Sequence, residues 1–265
     1  MDLGLADARV VVTGGASNIG RGIVHEFAAE GARIVISDID GPQAAKVRSE
    51  ALEKGAAAVE LAIADLTAPG GADTAVGAAV DAWGGIDVLV NNAGWSVPGF
   101  IATDTDRDKW QRTIEINLFT AIAATQAAIG PMKAAGGGAL IFIASDAAFG
   151  QIRQGVYGAS KAAMVALART TAREHGRHGI RSNIVCPGLV IPDGPDAVGA
   201  DSLWSVGQDN VFNQDQIDYM VKDTPMRRLT TAADVGRAVL WFSSPHAARQ
   251  VTGQMISVSG GYTMP

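Results

Sequence analysis

Tyr157 and Lys161 stand four residues apart in the run Tyr157-Gly158-Ala159-Ser160-Lys161, a spacing that puts both side chains on one face of a helix. A free phenol titrates near pH 10 and is a poor base at neutral pH. An ammonium beside it favours the phenolate, and each unit of lowering is worth about 1.4 kcal/mol. Such a pair can move a proton. Ser145 closes the apolar run Ile141-Phe142-Ile143-Ala144, twelve residues before Tyr157. At the carboxyl end of a parallel strand, its hydroxyl would lie where open α/β sheets bind ligands. Alone, the Tyr–Lys spacing is equally met by an exposed tyrosine near a solvated lysine.

A second constellation lies near the N-terminus, in Thr13-Gly14-Gly15-Ala16-Ser17-Asn18-Ile19-Gly20. Glycines here let the chain turn tightly and bring backbone N–H groups up to a pyrophosphate at a helix N-terminus. An ordinary strand–helix turn would also use them. Asp38, 18 residues beyond Gly20, falls where an acidic side chain accepts from adenosine ribose hydroxyls and repels a 2′-phosphate. Neither Lys nor Arg occupies positions 15 to 17 or 39, so the pattern favours NAD over NADP. The alternative for Asp38 is a cap on the following helix.

These residues need a frame. Short β-branched runs (Arg9–Thr13, Arg33–Ile36, Val59–Ile63, Val88–Val90, Leu140–Ala144, Ser182–Val185, Met255–Val258) are nearly continuously apolar, as strands covered on both faces are. Between them the pattern predicts helices over Ile19–Glu30, Pro42–Lys54, Ala72–Trp83, Asp108–Met132, Val156–His178 and Ala232–Phe242. The alternation predicts an α/β fold: a three-layer, doubly wound parallel sheet of about seven strands, the Rossmann arrangement. One domain over residues 1–265 is expected, with a Pro- and Gly-containing excursion at about 188–228 lying over a site.

Composition excludes several classes. The net charge of −6 argues against nucleic acid, which needs a basic surface. No apolar run reaches the ~20 residues of a membrane helix. The single cysteine, Cys186, rules out an intrachain disulfide, and the first seven residues carry no signal-peptide pattern; a cytoplasmic protein is expected. The four histidines offer only the His175/His178 pair at ligand spacing, placed for a helix C-terminal cap, so no catalytic metal is expected.

Thr13-Gly14-x3-Asn18-x-Gly20, Asn91-Asn92-Ala93-Gly94, Ser145 and Tyr157-x3-Lys161 together resemble the short-chain dehydrogenase/reductase family, over residues 13 to about 261. Asn18 replaces the middle glycine of that family's turn, a mild change because Asn tolerates positive φ. The resemblance implies cofactor contacts from Gly14, Ser17, Asn18, Ile19, Gly20 and Asp38, with Asp65 and Leu66 flanking the adenine. It places Asn92 and Gly94 along the ribose, and Tyr157 and Lys161 at the nicotinamide ribose. Pro187 and the backbone of Val190 would lie beside the nicotinamide, though Pro192 stands where the family often has Thr. It makes Tyr157 the general acid–base, Ser145 the ligand of the substrate oxygen and Lys161 the group lowering the Tyr157 pKa. Asn117, in Glu115-Ile116-Asn117-Leu118, would distort its helix and position a water.

For substrate, Trp95 and Asp146 are expected to face the pocket. Phe149, Gln151, Arg153, Trp204, Phe212 and Tyr219 are candidate walls or lid. Aromatic walls suit a cyclic or bulky apolar secondary alcohol. A finer likeness to members acting on hydroxylated cyclohexane rings rests on residues 92–95, 144–148, 173–175 and 257–261. Arg153 or Arg227-Arg228 could meet an acid or CoA moiety. The family implies a homo-oligomer, dimer or tetramer, through the apolar faces of Ile114–Ile129 and Ala162–Ala168. Two alternatives stand: an NADPH-dependent ketone reductase, which Asp38 disfavours, and a catalytically inactive dinucleotide sensor, which would not need Ser145, Tyr157 and Lys161.

Overall fold

The seven β-branched runs form seven strands: β1 (Arg9–Thr13), β2 (Arg33–Asp38), β3 (Ala58–Ile63), β4 (Val88–Asn91), β5 (Gly138–Ile143), β6 (Ile180–Pro187) and β7 (Met255–Val258). The computed structural model describes residues 2–200, 202–206 and 212–265. All strands pair in parallel, in the order β3-β2-β1-β4-β5-β6-β7. β1 is therefore flanked by β2 on one side (Val11↔Val35) and by β4 on the other (Val11↔Leu89). The strand order reverses there, and connections leaving in opposite directions open a crevice at the carboxyl ends.

Alternating side chains of β1 point into two cores. Val10 and Val12 pack with Ile23 and Phe27 of α1 (Asn18–Ala29) and with Val235 and Val239 of α8 (Ala232–Ser243). Val11 packs with Ala79 of α3 (Gly71–Trp83), Ala124 of α5 (Thr120–Ala134) and Met164 of α6 (Gly155–His175). Helices on both faces complete the three-layer, doubly wound sheet that the sequence predicts. Only the inner strands match the expectation of continuous burial. β3, at an edge, buries Val59 and Ala62 and exposes Glu60 and Ile63, and β7 is only half-buried. At the end of the sheet away from the crevice, Arg9 Nη2 meets Asp87 Oδ1 at 2.6 Å and ties the start of β1 to the approach to β4.

Two helical predictions are corrected, and one helix was not predicted. The segment expected as one helix, Asp108–Met132, divides into α4 (Arg107–Ile114), a π turn over Glu115–Phe119 and α5. The predicted Val156–His178 helix ends at His175 and tightens into a 3₁₀ turn over Gly176–His178. The helix not predicted is α7 (Gln214–Asp223), which lies within the excursion and is opened by a capping box between Asn213 and Gln216. That Asn-x-x-Gln signature was readable in the sequence. Residues 201 and 207–211 of the excursion lie outside those described. The remaining helix, α2 (Gly41–Glu53), follows β2.

Candidate active site

The crevice begins where β1 turns into α1. Gly14 adopts φ +61° and Asn18 φ +42°, the left-handed region that Gly enters freely and Asn tolerates. A Cβ on Gly20 would collide with the Gly14 carbonyl oxygen, so the turn closes only with glycine there. Asn92, just past β4, donates from Nδ2 to the carbonyls of Thr13 and Gly14, both at 2.9 Å, and fixes the turn to the sheet. Asn18 Nδ2 donates to the Val190 carbonyl at 3.3 Å. Ser17 sits at the α1 N-cap with no side-chain capping bond, and the first turn holds no acidic residue. The positive end of α1 is thus open toward the crevice.

Asp38 ends β2. Its Oδ2 accepts from Ala16 N at 2.9 Å and its Oδ1 from Asp40 N at 3.1 Å. Burial raises the Asp38 pKa, with these N–H groups opposing the rise. Asp38 does not cap the next helix, because Asp40 does, accepting from Gln43 N at 3.0 Å. Asp65 lies after β3, its Oδ1 accepting from the N–H and hydroxyl of Thr67, which lower its pKa.

A cavity of about 1200 Å³ runs from Asp38, Asp65 and Leu66 past Gly94 to Tyr157 and Lys161, with Trp95, Trp110 and Trp204 in its wall. It exceeds the roughly 300–1,000 Å³ of ordinary ligand clefts. Part of its cover comes from the excursion, which reaches across to α2. Ala200 N donates to Asp40 Oδ2 at 3.0 Å, and the side chains of Gln43 and Lys46 donate to the Asp196 carbonyl at 3.1 and 3.0 Å.

At the other end of the cavity lie Tyr157 and Lys161. Lys161 is 2% exposed, and its Nζ donates to the Ile143 carbonyl at 2.9 Å. Nζ stands 5.7 Å from the centre of the Tyr157 ring. Burial dominates both groups: it pushes Tyr157 up to about 12, the Ser145 hydroxyl opposing, and Lys161 down to about 8. Burial thus disfavours the phenolate and the ammonium alike. Ser145 follows β5 after one intervening residue and N-caps a 3₁₀ turn, its Oγ accepting from Ala147 N at 3.1 Å.

Asn117 is fully buried in the π turn. Its Oδ1 accepts from Trp95 N and its Nδ2 donates to the Trp95 carbonyl, both at 2.8 Å, with a further bond to Ser160 Oγ at 3.2 Å. A Cβ on Gly94 would stand 2.9 Å from Asn117 Oδ1 and 3.3 Å from Lys161 Nζ, so that residue must stay small. The π turn, a form that recurs at functional sites, brings this amide inward. The helix distortion implied by the resemblance is therefore present.

Some predicted residues lie elsewhere. Arg153, at φ +65°, holds its guanidinium 5.5 Å from the Phe100 ring and borders a small separate pocket. Arg153 is not among the residues lining the main cavity, and its carbonyl accepts from Gly99 N at 2.8 Å. Asp146 is buried beneath Ser145 rather than in the cavity wall, because the 3₁₀ turn rotates it inward. Pro187 ends β6, and Val190 is buried. Cys186 is buried, and burial pushes its thiol up to about 12, as fits an inert core residue. Trp204 stands 6.1 Å from Phe212, whereas Tyr219 is two-thirds exposed on α7. Sequence reasoning missed Trp110 and Arg112, the latter stacked 4.9 Å from the Trp95 ring, and missed the Asp40 contact with the excursion. Their only signal was position on α4 or at the α2 cap. Among the described residues no cluster could hold a metal, and no helix is long and apolar enough to cross a membrane.

The comparisons agree with this geometry. The family model described as enoyl-(acyl carrier protein) reductase matches residues 14–263. The chain belongs to the short-chain dehydrogenase/reductase family. Among curated members of that family it is 33% identical to the (2S)-[(R)-hydroxy(phenyl)methyl]succinyl-CoA dehydrogenase subunit BbsD of Thauera aromatica, over 99% of each chain. It is also 33% identical to 7α-hydroxysteroid dehydrogenase of Escherichia coli, over 95% of this chain and 92% of that one. A solved short-chain dehydrogenase/reductase structure, 7α-hydroxysteroid dehydrogenase with NADH and 7-oxo glycochenodeoxycholic acid, superposes with a TM-score of 0.86. It is 32% identical, with 98% of this chain and 96% of that one covered. This short-chain dehydrogenase/reductase is thus an oxidoreductase by family.

Proposed function

We propose that the protein is an NAD-dependent oxidoreductase that interconverts a secondary alcohol and its ketone, with Tyr157 as general acid–base. The observation that carries this reading is one cavity with Asp38 and the open α1 N-terminus at one end and Tyr157 and Lys161 at the other, Ser145 standing behind the wall in hydrogen-bond reach of Tyr157. Those ends suit a dinucleotide. Gly14, Ser17, Asn18, Ile19 and Gly20 would hold its pyrophosphate, Asp38 its adenosine ribose, Asp65 and Leu66 its adenine. Asn92, Gly94, Tyr157 and Lys161 would hold the nicotinamide ribose, with Pro187 and Val190 beside the ring. When bound, that cofactor supplies the hydride acceptor or donor.

The chain supplies orientation and proton traffic. Tyr157 gives a proton to the substrate oxygen in reduction and takes it in oxidation. Ser145 hydrogen-bonds that oxygen. Lys161, buried without a carboxylate partner, contributes positive charge when protonated, which favours the phenolate that oxidation requires. Asn117 keeps the Trp95 backbone, and with it the cavity wall, in place. Asp38, with no Lys or Arg at positions 15–17 or 39, supports NAD over NADP.

For the substrate, Trp95, Trp110 and Trp204 offer flat apolar surface, which supports a cyclic or otherwise bulky apolar alcohol. Two relatives carry names of that kind, one a hydroxysteroid and one a phenyl-bearing hydroxyacyl-CoA. The deciding assay follows NADH absorbance with NAD or NADP and a panel of secondary alcohols that includes cyclohexanols and hydroxysteroids. Turnover with NAD, and a Tyr157→Phe variant that loses about 10²- to 10⁴-fold in kcat while keeping its NAD affinity, is the expected result. Turnover confined to NADP would overturn the cofactor assignment, and undiminished turnover in Tyr157→Phe would overturn the role of the tyrosine.

A further inference from the structure

Beneath the proton-handling group lies a carboxyl that the mechanism above does not use. Asp146 is 9% exposed and forms no ion pair among the described residues. Its Oδ1 lies 3.3 Å from Ser145 Oγ, within reach of that hydroxyl as donor. The groups that face it are Ser145 and the Ala147 N–H from its own turn, the Tyr157 hydroxyl from α6, the Cys186 thiol from β6, and Thr263 and Tyr262 from the C-terminal ribbon. None of these is a cation.

A serine hydroxyl has one proton and two lone pairs. At Ser145 one lone pair is taken by the Ala147 N–H at 3.1 Å. An ionised Asp146 can only accept, so it draws the Ser145 proton and leaves the second lone pair to accept. A protonated Asp146 can donate into that lone pair and leave the Ser145 proton free. The two states therefore present opposite hydrogen-bonding faces. An alcohol can donate to the first; a ketone, which has no proton to give, needs the second.

Resting on the reading of Ser145 as the ligand of the substrate oxygen, we propose that Asp146 is a positioning residue that sets the direction of the Ser145 hydroxyl. Ionised, it leaves Ser145 an acceptor that an alcohol can meet and a ketone cannot; protonated, it frees the Ser145 proton for the oxygen of either. Burial places the switch within reach, raising Asp146 to about 6.

Two measurements test this. Infrared titration of the cofactor-free protein, as the difference between wild type and Asp146→Asn, isolates the protonated-carboxyl band. Its midpoint should lie near pH 6 and move upward in Ser145→Ala, which removes a donor to the carboxylate. A midpoint indifferent to Ser145→Ala overturns the coupling. The second measurement uses dead-end complexes of the alcohol–ketone pair on which the panel shows turnover: ketone with oxidised cofactor, alcohol with reduced cofactor. Ketone affinity should fall about tenfold or more between roughly pH 5 and 8, the range expected for losing a hydrogen bond to a charged competitor. Alcohol affinity should hold level, and Asp146→Asn should flatten the ketone profile. Parallel profiles for both ligands in wild type overturn the proposal. If Tyr157→Phe keeps turnover, the proposed function fails separately, and the infrared titration still decides the Asp146–Ser145 coupling.

Discussion

A buried lysine without a carboxylate beside it is costly, and Lys161 carries that cost in the proposed catalytic group. Burial lowers its pKa to about 8. The unfolded chain, with lysine near its ordinary value, binds more protons between those two points, so this group makes stability rise as pH increases through the window. Lys161→Met is expected to raise the melting temperature at pH 7, to abolish that rise between about pH 8 and 10, and to abolish turnover. Calorimetry across pH with a parallel assay checks all three, and a lower melting temperature in the variant would contradict the argument. Asp38→Ala, by removing the carboxylate that would repel a 2′-phosphate, should raise kcat/KM with NADP relative to NAD by about tenfold or more. A ratio unchanged in steady-state kinetics would show that selectivity lies elsewhere. The placement of Tyr157 beside Lys161 was legible in the sequence because spacing fixes it: the two must share a helical face wherever that helix sits. Their burial was not legible, since it depends on strands and turns distant in the chain. The inward rotation of Asp146 follows from a 3₁₀ turn four residues long, too short to leave a periodic signal.

Elements were read with the same mixture of success and blindness. The central strands announce themselves by continuous apolar runs, but β3 and β7 share that composition while lying at the edges, and composition cannot tell how many helices will cover a strand. The division of the Asp108–Met132 prediction into α4, π turn and α5 was invisible because a single π turn leaves the apolar repeat on either side intact. α7 was missed because its apolar positions, Ile217, Met220 and Val221, span little more than one turn, and only Ile217 is buried. Caps are the more local signal. Thr231 opens α8 with a capping box, accepting from Asp234 N at 3.1 Å, and Asp234 is held at about 2 by the Arg228 guanidinium. Thr231→Ala should cost about 1 kcal/mol of stability in denaturant titration, with no loss of turnover. A variant as stable as wild type would mean the cap contributes nothing.

On the scale of the whole molecule, the doubly wound sheet followed from the alternation of strand and helix, whereas the docking of the excursion on α2 had no sequence signal. It rests on donors whose acceptors lie about 150 residues away, Gln43 and Lys46 to Asp196. The double variant Gln43→Ala, Lys46→Ala should loosen this cover, raising KM for NAD severalfold with little change in kcat. Limited proteolysis should cut it faster between α2's partner segment and α7. Equal cleavage rates in variant and wild type would show that the contacts do not hold the loop.

The pairing of β1 with β4 carries a last consequence, for the order of events in the chain's life. Val11 finds Leu89 only after two intervening strands and three helices have been made, and the crevice at that junction draws Asp38 from one half and Tyr157 from the other. On the proposed reading, a bound dinucleotide spans both halves. Cofactor affinity is therefore a gauge of completed folding, and free cofactor pulls the folding equilibrium by mass action, by about 2.7 kcal/mol at a hundred times its Kd. Non-local pairing of this kind is slow to form, so on the proposed reading the contact that makes the chain a receptor is a late one, and a bound dinucleotide would hold it once made.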